Sequence, residues 1–518
     1  MAKYILLTGS TGLVGRYLVR DLMLAGHRLA LVVRPGKKQG IQERIEEILQ
    51  MWERELDTHL PRPICFAGDV SEPGLGLDAS ARQWIARHCD RTIHNAAILT
   101  FHGQDRQAEP WRTNLDGTRN TLQLCRDLGL LDLHYVSTAY VCGRRAGVIR
   151  EDELDCGQEF RNDYEHSKLL AELEVRNADF LNQLTIYRPA VIAGDSRTGY
   201  TSTYHGLYMY LQIMSVVNRN TEPDAQGVRH TNVRLDMTGD EPRNIVPVDW
   251  VSAVITKLFG TPSAHGKTYH LSPVNPITPR KIIDAGYKYF NSCGVEFLGY
   301  GEAANAKERS ALERATYENK TMYEAYETSD PTFDTTNLQA HAAELPCPPI
   351  DEPMLHRFLH YGEEDRWGRR KPVAAKTAVS VGDFLQSALH DGAPSEINHG
   401  TMKIAAAKSG HASGGPREDR HQVALDIIGP GGGQWLLTLV NNKLTAVELG
   451  LGQKGSHVPV LRITAEEFVD SFQRKGTASA AKLSAATRPV WGHERHEQLI
   501  QKLHCSLAAG TFAALVDE

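Results

Sequence analysis

The stretch that decides the fold is MAKYILLTGSTGLVG, residues 1–15. Residues 4–7 are an apolar run typical of a strand buried on both faces, and a helical pattern follows the glycines. This order predicts a phosphate-binding turn at a helix N-terminus. Gly9 would permit the tight turn, Gly12 would let the backbone approach a dinucleotide pyrophosphate, and Gly15 would let helix and strand pack closely. A glycine loop without a ligand is the alternative, but its place between strand and helix favours dinucleotide binding.

Length and composition limit the remaining choices. The chain has 518 residues, so we expect two or three domains. The hydrophobic content of 41% and the charged content of 23% are typical of a soluble globular protein. The net charge of −6 gives no reason to expect nucleic acid or an anionic membrane as partner. No apolar run reaches the ~18 residues that span a bilayer, and the early first strand leaves no room for a signal peptide. The eight cysteines form no CxxC pair, which favours reduced thiols in a cytoplasmic protein over a disulfide framework or a metal site.

Strand and helix patterns alternate through the first part of the chain. Predicted strands lie at 27–34, 63–70, 91–97 and 133–138, and predicted helices lie at 41–56 and 113–128. This alternation predicts an α/β fold with a Rossmann-like, doubly wound parallel sheet.

The end of the second predicted strand bears on the choice of cofactor. An acidic residue there would bind the ribose 2′-hydroxyl of NAD. This chain has Arg34 instead, with Lys37 and Lys38 close behind. A guanidinium and two ammonium groups suit a 2′-phosphate, so the sequence predicts NADPH rather than NADH. A solvated basic loop is the alternative.

Tyr164 and Lys168 are a candidate pair for proton transfer. At i and i+4 of a helix they would project from the same face. A nearby ammonium favours the phenolate, so we expect Lys168 to lower the pKa of Tyr164 towards neutrality, where a phenol can exchange a proton with a carbonyl or alcohol oxygen. Thr138, at the end of a predicted strand, could add a hydrogen bond to that oxygen.

Six motifs, in this order, resemble the extended short-chain dehydrogenases/reductases. They are TGSTGLVG at 8–15, HNAA at 94–97, NLDGT at 114–118, VSTAYVCG at 136–143, YEHSK at 164–168 and YRPAVIAG at 187–194. The resemblance covers residues 1–280 and extends less clearly to 372. Within this superfamily the chain resembles the branch of fatty acyl-CoA reductases and thioester-reductase domains, through STAYV at 137–141, YRPAVIAGDSRTGY at 187–200 and NIVPVDWV at 244–251.

The resemblance implies a set of site residues. It makes Thr138 the catalytic hydroxyl in preference to Ser137, Tyr164 the acid/base, and Lys168 the residue that binds the nicotinamide ribose. Asn114 matches an asparagine near the active site, with a position on the helix surface as the alternative. The implied cofactor-binding residues are Thr8, Gly9, Thr11, Gly12, Leu13, Val14, Gly15, Arg34, Asp69, Val70, Asn95, Ala96, Ala97, Lys168, Arg188 and Pro189.

The resemblance also implies a reaction. It is NADPH-dependent reduction of an acyl thioester, bound to CoA or to a carrier protein, to an aldehyde. The alternative is a ketone/alcohol oxidoreductase that acts on a lipid-like, sterol-like or polyketide substrate. A binding-only protein would usually lack the Tyr or the Lys, and both are present.

Two capping segments, about 197–243 and 275–360, are expected to cover the substrate. The first contains an apolar cluster that could line an acyl-chain channel or could simply pack on the core. Its members are Tyr204, Leu207, Tyr208, Met209, Leu211, Ile213 and Met214.

The reductase domain is expected to occupy residues 1–372, with a C-terminal α+β domain at 373–518. The basic run at 366–372 could contact a CoA or phosphopantetheine phosphate, and a solvated linker is the alternative. Strands are predicted at 423–428, 434–440 and 443–449, and Thr464 with Glu467 has the form of a helix capping box. This domain faintly resembles sterol-carrier-protein-like domains, which implies acyl or lipid binding; a structural or oligomerising appendage is the alternative. The oligomeric state is left open.

Overall fold

The structure is a computed structural model that describes residues 4–299, 313, 328–370, 380–383, 385, 420–440, 443–451, 460–468 and 488–491. The helices are α1 (Leu13–Leu24), α2 (Ile41–Leu56), α3 (Ala79–His88), α4 (Gly117–Leu128), α5 (Asp163–Arg176), α6 (Leu207–Arg219), α7 (Val248–Phe259), α8 (Pro279–Phe290), α9 (Thr336–Ala342) and α10 (Glu352–Glu364). The strands are β1 (Tyr4–Thr8), β2 (Arg28–Val33), β3 (Ile64–Ala67), β4 (Cys89–His94), β5 (Asp132–Val136), β6 (Val148–Ile149), β7 (Gln183–Pro189), β8 (Val191–Ala193), β9 (Arg229–Leu235), β10 (Ile245–Pro247), β11 (Thr268–Leu271), β12 (Ser292–Phe297), β13 (Thr332–Phe333), β14 (Arg420–Ile428), β15 (Gly433–Val440), β16 (Lys443–Leu449), β17 (Val460–Thr464) and β18 (Arg488–Trp491).

The centre of the fold is a seven-stranded sheet with the order β11-β7-β5-β4-β1-β2-β3. Every neighbouring pair in it is parallel. From β1 the chain runs outward to β2 and β3, and then returns to the other side of β1 to form β4. The carboxyl ends of β1 and β4 therefore flank the point where strand order reverses, which is where such sheets bind ligands. The predicted α/β, doubly wound fold is confirmed.

Burial explains why these elements form. All five residues of β1 are buried, as its apolar run predicted. The predicted helix at 41–56 is observed at the same residues, and its Trp52 donates a hydrogen bond to the Arg16 carbonyl of α1 at 3.0 Å. The strands predicted at 91–97 and 133–138 end earlier, at His94 and Val136. The residues just beyond those ends leave the sheet and enter the candidate site.

A second layer covers the carboxyl end of the sheet. It contains the short parallel pairs β8–β10 and β9–β12, together with α6, α8 and α10. Tyr208 and Leu211 are buried in a core cluster with Phe358 and Leu359 of α10. Of the two alternatives left open for the apolar cluster of α6, packing on the core therefore holds for these two residues, because this face of α6 packs on α10.

A separate five-stranded mixed sheet lies towards the C-terminus, with the order β16-β15-β14-β17-β18. The predicted hairpin is confirmed, and β14 also pairs in parallel with β17. The predicted capping box is confirmed as well, because Thr464 N–H donates to Glu467 and Glu467 N–H donates to the Thr464 hydroxyl at 3.2 Å. Much of the predicted range 373–518 lies outside the described residues.

The two sheets are in contact through buried polar groups. The Tyr4 hydroxyl of β1 donates to Gln434 Oε1 at 2.6 Å and accepts from the Leu451 N–H at 3.2 Å. Trp84 of α3 donates its indole N–H to the Leu449 carbonyl at 2.8 Å. The sequence did not predict this contact. Across the described parts of the chain, no helix is long and apolar enough to cross a bilayer.

Candidate active site

The glycine loop after β1 has the shape that the sequence predicted. Gly9 has φ +73°, and a β-carbon there would lie 2.6 Å from the Ala96 nitrogen. A β-carbon on Gly15 would lie 2.0 Å from the Gly9 carbonyl oxygen, so both glycines are required for close packing. Gly12 is the N-cap of α1, no side chain caps that helix end, and the nearest atom to a β-carbon there is 3.5 Å away. The uncapped N–H groups of α1 and the open side of Gly12 therefore form a cradle that fits an anionic pyrophosphate.

One cavity of about 730 Å³ begins at this loop and continues past the carboxyl ends of β1, β4 and β5 into the second layer. Most of the predicted site residues line it. They are Gly9, Thr11, Gly12, Leu13, Val14, Arg34, Asp69, Val70, Asn95, Ala96, Ala97, Thr138, Tyr164, Lys168 and Pro189.

The four other predicted residues lie behind the cavity wall. Thr8 bonds His94 Nδ1 at 2.7 Å and accepts from the Asn95 N–H at 3.2 Å, so it joins β1 to the end of β4. Gly15 packs on the Gly9 carbonyl. The Arg188 side chain is directed into the core rather than towards the cavity, because it is paired with the buried carboxylate of Glu172.

Asn114 is the fourth of these residues, and it lies in a π-helical turn, Arg112–Asp116, that precedes α4. Its amide accepts from the Ile98 N–H at 2.9 Å and donates to the Ile98 carbonyl and to the Ser167 hydroxyl. Only 1% of the residue is exposed, so the alternative of a helix-surface position is wrong. Asn114 ties the segment after β4 to α5.

Helix α5 presents the predicted catalytic pair. Its N-cap, Asn162, accepts from the Glu165 N–H at 3.0 Å, which fixes the turn that carries Tyr164. Lys168, one turn on, donates to the Tyr135 hydroxyl and the Val136 carbonyl, both at 2.9 Å. Thr138 lies just past the end of β5 and lines the same cavity as Tyr164; its hydroxyl donates to the Pro189 carbonyl at 3.5 Å and accepts from the Tyr140 N–H at 3.3 Å. Sequence spacing alone placed these three groups together.

The pKa values of the pair differ from the expectation. Burial raises the pKa of Tyr164 to about 12, against the opposing effect of the Thr138 side chain. Burial also lowers the pKa of Lys168 to about 7, against the opposing charge of Glu172. The prediction that Lys168 lowers the pKa of Tyr164 towards neutrality is therefore wrong for this structure, because burial of the phenol raises that pKa and the ammonium is not among the groups that shift it. At neutral pH Tyr164 is a protonated phenol, which is the form that can donate.

A buried ion-pair network supports this pair, and the sequence did not predict it. Glu172, one turn after Lys168, is fully buried and accepts from Arg188 at 2.6 Å, from Arg176 at 2.9 Å and from the Ser137 hydroxyl at 2.6 Å. Burial alone would raise the pKa of Glu172, but these partners hold it below its usual value. In the sequence, only the i+4 spacing of Glu172 from Lys168 on one helix face could have indicated that this carboxylate supports the catalytic pair.

A second group that the sequence missed is Arg44 of α2. Its guanidinium donates to the Arg34 carbonyl and, at 3.2 Å, to the Thr11 hydroxyl. Arg16 Nε donates to the Thr11 carbonyl at 3.1 Å, and Arg34 is exposed 3.7 Å from Asp69. Three guanidinium groups thus surround the same edge of the glycine loop. Only the folded position of α2 brings Arg44 to this edge.

The described residues also contain one group of three potential metal ligands, Asp132, His134 and His265, whose ligand atoms lie within 4.8 Å of one another. Asp132 and His134 lie at the amino end of β5, whereas the cavity is at its carboxyl end. Arg91 Nε is 3.7 Å from the Asp132 carboxylate, and its charge opposes that of a cation. The seven described cysteines are free thiols.

Residues 7–255 match the family described as male sterility protein. The matched residues, just under half of the chain, are similar to that family. The match contains both the glycine loop and the Thr138–Tyr164–Lys168 group. It confirms the predicted membership of the extended short-chain dehydrogenases/reductases in the thioester-reductase branch, and with it an NAD(P)-dependent oxidoreductase domain.

Two curated relatives and one solved structure extend this comparison. A linear gramicidin synthase polypeptide of Brevibacillus parabrevis is 27% identical over 373 residues, which cover 69% of this chain and 7% of that protein. Aldehyde reductase lnaA of Aspergillus flavus is 25% identical over 393 residues, covering 69% of this chain and 36% of that protein. The chain thus spans about a third or less of the length of these relatives. The terminal R domain from the myxalamid PKS-NRPS biosynthetic pathway is 26% identical, with a TM-score of 0.57 over 71% of this chain and 92% of that domain.

Proposed function

We propose that this protein reduces an acyl thioester to an aldehyde with NADPH. The observation that carries the proposal is the continuity of the cavity. It joins a pyrophosphate cradle, the side chains of Thr138 and Tyr164, and a chamber with largely apolar walls. A cofactor, a reacting carbonyl and an acyl chain would occupy these three parts in that order.

The preference for NADPH rests on the arginines at the edge of the glycine loop. Arg34 and Arg44 place two guanidinium groups where the adenosine ribose of a bound dinucleotide would lie, beside the adenine-side residue Asp69. A 2′-phosphate accepts bidentate hydrogen bonds from such groups. Arg44→Ala should raise KM for NADPH by about tenfold, the equivalent of one charge-assisted hydrogen bond, and leave KM for NADH unchanged. An equal change for both cofactors would contradict the assignment.

The chemistry at the carbonyl follows from the protonation states. Bound NADPH would supply the hydride to the acyl carbon. The protonated Tyr164 phenol and the Thr138 hydroxyl donate hydrogen bonds to the acyl oxygen, and they stabilise the negative charge that develops on it. Tyr164 then gives its proton to that oxygen, which yields a hemithioacetal. Collapse of the hemithioacetal releases the aldehyde and a free thiol.

Lys168 and Asn114 have supporting roles in this proposal. Lys168 reaches the cavity with its ammonium anchored on β5, where it can bind the nicotinamide ribose. Asn114 positions the segment after β4 and, through Ser167, the turn of α5 between the two catalytic side chains. Lys168 and Asn114 can both keep their hydrogen-bond partners while Tyr164 gives its proton to the acyl oxygen.

A ketone/alcohol oxidoreductase is the second candidate, because one relative is named an aldehyde reductase and the same Thr–Tyr–Lys group serves both reactions. The two functions differ in their products. We would supply palmitoyl-CoA, hexadecanal and a long-chain ketone separately with NADPH, and use Tyr164→Phe as the inactive control. Turnover of palmitoyl-CoA that the variant lacks supports thioester reduction. Turnover of the ketone or the aldehyde alone would favour the second candidate.

The C-terminal region has its own proposal. We propose that residues 1–372 form the reductase domain and that 373–518 form an acyl- or lipid-binding domain. In support, the mixed sheet has one apolar face, formed by residues such as Leu425, Leu437 and Ile463, and Val381 packs on this face. A small-molecule or carrier-bound acyl substrate is the partner that both domains would share.

A further inference from the structure

The cavity continues well beyond Tyr164, into a chamber between α6, α8, β9 and β12. We propose that this chamber binds the unbranched alkyl chain of the substrate and that the contact between Met214 and Gly286 sets the length of chain it accepts. The inference rests on the proposed acyl substrate and specifies its class as aliphatic rather than peptidyl.

The first support is the shape of the chamber. Helix α6 contributes Leu207, Tyr210, Met214 and Val217 to its wall, at the spacing of one helix face. Leu207 and Val217 are ten positions apart in the sequence, so this face extends for about 15 Å along the helix. A narrow apolar face of that length suits an extended alkyl chain.

The second support is the chemistry of the wall. Strand β9 adds Val233 and Leu235, α8 adds Ile282 and Ile283, and β12 adds Val295. Within the described residues, α6, α8, β9 and β12 contribute no charged side chain to the lining. Five polar side chains, those of Tyr210, Asn218, Thr231, Tyr287 and Ser292, also line these elements, but most of the wall is apolar, so methylene groups gain more from burial there than amide groups do.

The charged residues of the cavity lie elsewhere in the chain. Asp330 is half-buried and accepts hydrogen bonds from the Tyr140 hydroxyl at 2.9 Å and from the Asn244 N–H at 2.8 Å. Arg243 donates to the Thr328 carbonyl at 2.7 Å. Neither residue is on the four elements that enclose the chamber.

The third support is the packing of Met214 on Gly286. A β-carbon at Gly286 would lie 2.0 Å from Met214 Sδ and 3.1 Å from its Cε. The thioether therefore occupies the space that any other residue at 286 would fill. Glycine inside a helix is less favourable than alanine, and here it provides a recess that holds Met214 against α8. Both residues line the cavity. A side chain at 286 must displace the flexible Met214 side chain towards the lumen.

The test is a chain-length profile of four variants. We would measure kcat/KM with hexanoyl-, lauroyl- and palmitoyl-CoA, and in parallel with hexanal and hexadecanal. Gly286→Ala should lower the palmitoyl-to-hexanoyl ratio of kcat/KM by about tenfold. The reason is that the displaced Met214 side chain then occupies space that the longer acyl chain needs and the shorter one does not. Met214→Ala should raise that ratio or leave it unchanged. The double variant Gly286→Ala/Met214→Ala should recover the wild-type ratio, since the displaced side chain is then absent.

Two controls separate this result from a folding defect. Met209→Ala removes a methionine from the same helix at a position that does not line the cavity, so its ratio should equal that of the wild type. NADPH binding, followed by fluorescence, should be the same in all variants. Two results would overturn the proposal. In the first, the palmitoyl-to-hexanoyl ratio of Gly286→Ala equals the wild-type value. In the second, this ratio falls in Gly286→Ala and the added Met214→Ala substitution does not restore it, although NADPH still binds. If no thioester is turned over but the aldehydes are, the proposed function fails, and the hexadecanal-to-hexanal ratio still decides the role of Met214 and Gly286.

Discussion

The buried carboxylate of Glu172 should be essential to the stability of the reductase domain. It is paired with Arg188, which is itself only 1% exposed, and it also accepts from Arg176 and Ser137. Replacing Glu172 by alanine leaves the Arg188 guanidinium buried without its counter-charge. Removal of one partner of such a pair costs about 3–5 kcal/mol. For a reductase domain of residues 1–372, an unfolding entropy of about 2.1 cal/mol/K per residue makes that a fall of roughly 4–6 °C in the thermal midpoint.

Glu174→Ala is the matched control for this experiment. Glu174 lies on the same helix two residues later, and it is paired at 2.6 Å with Arg119 on the surface. Exposed pairs contribute about 0–1 kcal/mol, so the midpoint should fall by roughly 1 °C at most. Thermal unfolding followed by intrinsic fluorescence measures both variants. Equal shifts for Glu172→Ala and Glu174→Ala would refute the reasoning, because they would show that burial of the pair contributes nothing.

Three further predictions concern the triad, the glycine loop and the contact between the sheets. Since burial lowers the pKa of Lys168 to about 7, its ammonium is lost as pH rises through that value, and kcat/KM for NADPH should fall about tenfold per pH unit above it; a flat profile between pH 7 and 9 would contradict this. Gly15→Ala puts a β-carbon 2.0 Å from a loop carbonyl, so it should weaken NADPH binding in titration by about tenfold or more, whereas Gly40→Ala, with open space around it, should not. Tyr4→Phe removes two hydrogen bonds at 2.6 and 3.2 Å and leaves the Gln434 amide oxygen without its donor, so the free energy of unfolding in urea should fall by about 1–3 kcal/mol; no change would show that the two sheets do not depend on this contact.

Local pattern was enough to predict the parts of the site that depend on neighbouring residues. The glycine loop, the end of β4 and the Tyr164–Lys168 pair were predictable because their geometry is set by strand ends and helix spacing within a few residues. Helix α2 was predictable over its whole length because its apolar residues recur on one face.

The features that the sequence did not reveal depend on residues far apart in the chain. Arg44 reaches Thr11 across 33 positions, and Glu172 meets Arg188 only when α5 packs on β7. The pKa of Tyr164 was predicted in the wrong direction because an adjacent lysine is visible in a sequence and burial is not. The place of Tyr208, in the channel wall or in the core, was left open because periodicity shows that a helix is apolar without showing which neighbour each face contacts.

The most direct test of the proposed reaction is its stoichiometry. Palmitoyl-CoA would be incubated with the full chain and NADPH, and free CoA thiol, hexadecanal and oxidised cofactor would be counted together in the wild type and in Tyr164→Phe. We predict equal amounts of thiol and aldehyde, one NADPH oxidised per thiol, and a loss of about 100-fold or more in the variant, because a donor to the oxyanion is removed. NADPH oxidation with a ketone that releases no thiol, together with no thiol from palmitoyl-CoA, would contradict thioester reduction.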